Sequence, residues 1–211
     1  MHADDILRMI DDLGVPSVDL FGSSGGAING LALVAKHPER VRVFVAHEPP
    51  LASVLPDREP LLAACRDIHE TYRRDGMGPA MAKFIALTSH TGPLPADWVD
   101  RPAPAPSAFG MPTEDDGSRD DPLLGPAMLR VPSYQPDFAA LAAASTRIVP
   151  AAGKESAGQM AARAPVVIAE RLGTDLVTFP SHHGGFMGGE SGMQGEPAAF
   201  AEKLREVLDA G

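Results

Sequence analysis

The chain has 211 residues, 44% of them hydrophobic and 22% charged, enough for one domain, or one domain with an insertion, around a substantial core. Its 28 acidic against 18 basic residues leave a formal charge of −10, which argues against nucleic acid or an anionic membrane surface as partner. A single cysteine, Cys65, excludes an intrachain disulfide and a cysteine-based zinc site and suits a cytoplasmic protein, and no apolar run is long enough to span a bilayer.

Residues 3–13 place Ile6, Met9, Ile10 and Leu13 on one face, the pattern of an amphipathic helix stopped by Gly14 and Pro16. An apolar run at 17–21 then enters Gly22-Ser23-Ser24-Gly25-Gly26 and passes straight into a helical pattern at 25–36, ended by His37-Pro38. Residues 41–46 form a second predicted strand, closed by His47-Glu48-Pro49-Pro50. Helix, strand, helix and strand follow with crossovers of the length a parallel sheet needs.

From 51 to 141 the pattern changes. Helices are predicted near 59–74 and 78–88, followed by a Pro-, Asp- and Gly-dense stretch at 92–122 in which Arg101-Pro102-Ala103-Pro104-Ala105-Pro106 suits neither a helix nor a central strand. This segment reads as a helical cap with a flexible loop inside it, inserted into a core of residues 1–50 and 142–211. Residues 146–153 are a strand running into a loop, 159–172 a helix despite Pro165, and 175–179 a fourth strand leading to Pro180-Ser181-His182-His183-Gly184-Gly185-Phe186. A closing helix at 197–208 spaces Phe200, Leu204 and Leu208 at intervals of four. The fold class is α/β: a three-layer α/β/α sandwich on a mainly parallel sheet.

Between strand and helix, Gly22-x-Ser24-x-Gly26 has the form of a nucleophile elbow. A serine lifted above a strand end sits in a strained backbone, and strand and helix pass close beside it, so small residues are expected at both Gly22 and Gly26. Ser23 does not fit, because the position two before it is Phe21. The plainer alternative is a glycine-rich loop that only packs a helix on a sheet. Phosphate-binding patterns fail on the residues: Ser24 occupies the second glycine of G-x-G-x-x-G, and no Gly-Lys-Ser/Thr follows. Binding groups gather at the carboxyl ends of parallel strands, and here those ends offer Ser24, Glu48, Glu155 and His183 in turn. A serine needs a base, and the base needs a carboxylate to hold it.

The elbow, the helix ending in His37-Pro38-Glu39-Arg40-Val41, the place of the insertion and His183 after the last strand together resemble the C-terminal two-thirds of an α/β-hydrolase, over nearly the whole chain. His47-Glu48-Pro49-Pro50 and His183-Gly184-Gly185-Phe186 resemble segments of small actinobacterial-type hydrolases. The resemblance implies that the four strands are the fifth to eighth of eight, that His183 is the base, with Gly184 and Phe186 shaping its loop, and that His182 is a neighbour. It leaves the acid open. Glu155 stands near the usual place after the seventh strand, whereas Glu48 ends the sixth, as in haloalkane dehalogenases, and is favoured for its similar distance from Ser24.

The resemblance gives Gly25 one oxyanion N–H. The loop that would give the second belongs to earlier strands not found here, so the reading frame is expected to begin upstream of Met1, and strand 17–21 becomes an edge through which a homodimer could form. The implied activity is that of a serine hydrolase acting on carboxylic esters or related acyl bonds of a small-molecule substrate, with His47, Ser23 and His182 beside the pocket. No metal or organic cofactor is implied. The rivals are a non-catalytic binding protein of the same fold and an acyltransferase or perhydrolase on the same triad.

Overall fold

The computed structural model describes residues 2–189 and 192–210, and their contacts separate into two units: residues 1–50, 136–157 and 161–211, and residues 51–135 with 158–160. Helices in chain order are α1 (Ala3–Asp12), α2 (Gly25–Lys36), α3 (Arg58–Asp75), α4 (Met77–Ser89), α5 (Met128–Arg130), α6 (Phe138–Ala142), α7 (Met160–Leu172) and α8 (Pro197–Asp209). Among the described residues, no helix is long and apolar enough to cross a membrane.

In the first unit the four apolar runs pair as a wholly parallel sheet in the order β1 (Val18–Ser23), β2 (Val41–His47), β3 (Arg147–Gly153) and β4 (Val177–Phe179). β2 is interior and almost entirely apolar because both of its faces are covered. The Phe44 ring lies against α2 at Gly30, while Val43 and Val45 point the other way, into a cluster with Val149, Ala151, Phe179 and the α8 residues Phe200 and Val207. Alternate residues of one strand thus anchor a helix on each face, which makes the three layers. β1 is at one edge of the sheet.

The apolar stripe of α1 differs from the predicted one. Ala3 and Ile10 are buried, whereas Met9 and Leu13 are each 66% exposed. The helix is rolled so that positions 3, 6, 7 and 10 face inward, with Lys36–Asp4 and Arg40–Asp11 ion pairs at its flank. Residues 136–141, expected in the insertion, lie with the sheet unit: α6 packs on α2, and the Arg171 guanidinium sits 4.7 Å from the Phe138 ring centre.

In the second unit α3 and α4 form a helical hairpin that turns at Gly76, where φ is 87°. Leu61, Ala64, Ile68 and Tyr72 of α3 are buried, as is Cys65, whose thiol burial pushes up to about 12, leaving it unreactive. The Pro/Asp-rich stretch runs as irregular chain with short turns. It is tied to α3 where Arg119 donates to the Arg73 carbonyl and where the Asp121 N–H donates to the Tyr72 hydroxyl at 2.8 Å.

Candidate active site

Three non-glycine residues have positive φ among the described residues, and all three follow strand ends of the same sheet: Ser24 (55°) after β1, Glu48 (46°) after β2 and Ser181 (64°) after β4. Each such conformation costs about 1–3 kcal/mol, and strain of this kind gathers where a side chain must be aimed.

Ser24 is the hinge between β1 and α2. Its backbone (φ 55°, ψ −127°) breaks the strand, its N–H donates to the His47 carbonyl at 3.0 Å, and its carbonyl accepts the Ala27 N–H at 3.0 Å. A Cβ at Gly22 would stand 2.9 Å from the Gly26 carbonyl oxygen and 3.0 Å from Ala27 backbone, so the need for glycine there is met. At Gly26 the expectation fails. A Cβ would meet nothing within 4 Å, because α2 approaches the strand through the Gly26 carbonyl and Ala27 rather than through the Gly26 Cα. Gly25 opens α2, where the first N–H groups have no partner inside the helix.

The carboxylate that faces His183 is Glu48. Glu48 is wholly buried; its Oε2 accepts from His183 Nδ1 at 2.5 Å and its Oε1 accepts the Gly153 N–H at 2.8 Å. Burial alone would raise the Glu48 pKa, but the hydrogen bonds from His183 and Gly153 outweigh it and hold the carboxyl below its ordinary value, so it is ionised at neutral pH. The His183 side chain is 38% exposed. Glu155 is exposed on the turn after β3; its backbone N–H donates to the Ser181 carbonyl at 2.9 Å, and its side chain pairs with neither histidine among the described residues.

His182 and His183 are separated by their partners. His182 uses both ring nitrogens locally: Nδ1 accepts the Gly184 N–H at 3.0 Å and Nε2 donates to the Gln194 carbonyl at 3.0 Å. It fastens its own loop and has no nitrogen left for proton transfer. His47, expected beside a pocket, has no exposed surface; its Nδ1 lies 3.0 Å from Ser23 Oγ, and Phe21, Phe179, Phe186 and Phe200 surround its ring. Burial, only partly opposed by the Glu48 charge, lowers its pKa to about 4. Ser24 Oγ makes no hydrogen bond among the described residues.

Gly153 is the participant that sequence reasoning missed. Besides binding Glu48, it lets the histidine loop pass: a Cβ there would stand 2.8 Å from the Ser181 carbonyl oxygen and 3.0 Å from the His182 carbonyl carbon. A glycine ending an apolar strand was the available signal. Among the described residues, no group of three or more His, Cys, Asp or Glu side chains could hold a metal ion.

The family model described as alpha/beta hydrolase fold matches residues 1–169. The chain belongs to the α/β-hydrolase family. It is 29% identical over 212 residues to the uncharacterized hydrolase YraK of Bacillus subtilis strain 168, a match covering 99% of this chain and 69% of that protein. Among solved structures, a hydrolase from Pseudomonas aeruginosa PA01 superposes with a TM-score of 0.58 at 20% identity, over 99% of this chain and 71% of that one. The enol-lactonase from Burkholderia xenovorans LB400 gives 0.54 at 15% identity, over 98% and 71%. The chain thus spans about seven-tenths of the length of these α/β-hydrolase relatives. His183 lies beyond the residues matched by the family model, so its place in the site rests on its bond to Glu48.

Proposed function

We propose that this α/β-hydrolase is a serine hydrolase cleaving carboxylic-ester or related acyl bonds of a small-molecule substrate, with Ser24 as nucleophile, His183 as base and Glu48 as the acid that orients it. The observation that carries the reading is the buried, ionised Glu48 bonded to His183 Nδ1 in a sheet whose first strand ends at the strained Ser24. With Nδ1–H committed to Glu48, the neutral imidazole has its lone pair on Nε2, the tautomer a general base requires.

Ser24 Oγ adds to the acyl carbon as its proton passes to His183 Nε2, and Glu48 stabilises the imidazolium that forms. The tetrahedral oxyanion takes a hydrogen bond from the Gly25 N–H. Collapse breaks the bond to the leaving group, which receives the proton from Nε2. Water then adds to the acyl-enzyme by the same relay and releases the acid and free Ser24. One structural neighbour, the enol-lactonase from Burkholderia xenovorans LB400, is named for acyl chemistry of this kind, which supports the reading.

The test is reaction with a fluorophosphonate probe, read by intact mass, for the wild type and Ser24→Ala. A single adduct that the substitution abolishes is expected, together with turnover of short p-nitrophenyl esters. A folded wild-type chain that takes no adduct refutes the reading and favours a binding protein. An adduct whose acyl-enzyme passes to an alcohol or peroxide faster than to water replaces hydrolysis with transfer.

A further inference from the structure

His47 touches both halves of the site without reaching the surface. Its carbonyl accepts the Ser24 N–H, its Nδ1 pairs with Ser23 Oγ at 3.0 Å, and the next residue along the chain carries the carboxylate bonded to His183. Its ring centre lies 6.2 Å from that of His183, with 29° between the planes. The remaining ring nitrogen, Nε2, is buried with no partner among the described residues, and the His47 ring centre lies 5.7 and 5.3 Å from those of Phe179 and Phe200. An unsatisfied buried polar atom is destabilising, and a phenylalanine would fill the same space among these rings without that penalty. What phenylalanine could not do is hold Ser23.

Resting on the Ser24–His183–Glu48 reading, we propose that His47 is a positioning residue: an uncharged strut that fixes the turn presenting Ser24 to the strand end presenting Glu48 and backs the His183 ring. Glu48 and His183 are the titratable groups that face it. A charged His47 would draw the Glu48 carboxylate away from His183 and repel the imidazolium formed during proton transfer. Burial among phenylalanines prevents that charge, and the Ser23 bond sets the ring's rotation.

Ser23→Ala deletes the strut's side-chain bond with no change in the buried ring, His47→Phe deletes it with the ring volume kept, and His47→Gln retains a group able to bond Ser23. Each is measured for kcat and KM on p-nitrophenyl butyrate and, with histidine labelled in nitrogen-15, for the downfield Nδ1 proton of His183. The expected result is a kcat lower by about 10- to 100-fold in Ser23→Ala and His47→Phe, with KM little changed. His47→Gln recovers part of the loss, and the His183 proton signal moves in Ser23→Ala. Unchanged kcat and an unmoved His183 signal in Ser23→Ala overturn the strut, as does a kcat loss in His47→Phe that His47→Gln does not relieve. If the wild type shows neither turnover nor probe adduct, the hydrolase reading fails separately; the His183 signal then still decides, supporting the strut if Ser23→Ala moves it and overturning it if not.

Discussion

Acid should destabilise this fold through His47 before it acts on ordinary carboxylates. The unfolded imidazole takes its proton near 6.5, whereas the folded one, buried among phenylalanine rings, takes it only near 4. Between these values the unfolded chain binds the extra proton, so the contribution is fully present above pH 6.5 and is lost as pH falls toward 4. At about 1.4 kcal/mol per unit, the difference between 6.5 and about 4 amounts to about 3 kcal/mol, a large share of the roughly 5–15 kcal/mol typical of a folded domain. Glu48 adds to the loss in a lower window, since its depressed pKa contributes stability that is present above its ordinary 4.5 and disappears below it. Urea unfolding of the wild type and His47→Phe between about pH 7.5 and pH 4.5 separates the two. The wild type should lose stability at up to about 1.4 kcal/mol per pH unit below 6.5. The variant should be flatter, so that the stability of the wild type relative to the variant falls with acid. Parallel curves from pH 7.5 to about 5 would refute the assignment of His47 as a buried neutral group.

Glu48→Gln should lower kcat by about 10⁴-fold, because an amide that still accepts from Gly153 turns its NH₂ toward Nδ1 and forces the wrong imidazole tautomer; Glu155→Gln should leave the same ester assay unchanged. Gly153→Ala, whose Cβ would stand 2.8 Å from the Ser181 carbonyl, should displace the His183 loop and cost about 10²-fold in kcat, measured alongside a retained circular dichroism spectrum. Gly22→Ala should destabilise by about 1–3 kcal/mol in urea through its backbone clash, whereas Gly26→Ala should be neutral or stabilising by about 0.5–1 kcal/mol, since it fills open space on a helix. Phe200→Ala should cost about 3–5 kcal/mol by opening a cavity between α8 and the sheet, read as a lowered urea midpoint.

Periodicity and turn chemistry act between neighbours in the chain, and whatever depends on them was legible in the residues themselves. The four strands, the helix after Ser24, the parallel order and the α/β class all follow from apolar runs, their lengths and the small residues that end them. So does the elbow, since only Ser24 has glycine on both flanks at the required spacing. The choice between Glu48 and Glu155 could not be made that way. It depends on where two distant strand ends meet: a left-handed backbone at Glu48 turns its carboxylate inward, toward an N–H on β3 and a ring beyond β4. For the same reason Gly26 looked obligatory in the motif and proved open in space, and Met9 and Leu13, which fit a helical stripe, face outward because α1 is rolled to the face bearing Ala3 and Ile10. His182 and His183 are chemically identical neighbours; the carbonyl of Gln194 on one and the carboxylate of Glu48 on the other distinguish them. Sequence determines which groups stand at the strand ends, while the packing of those ends decides which of them share a proton.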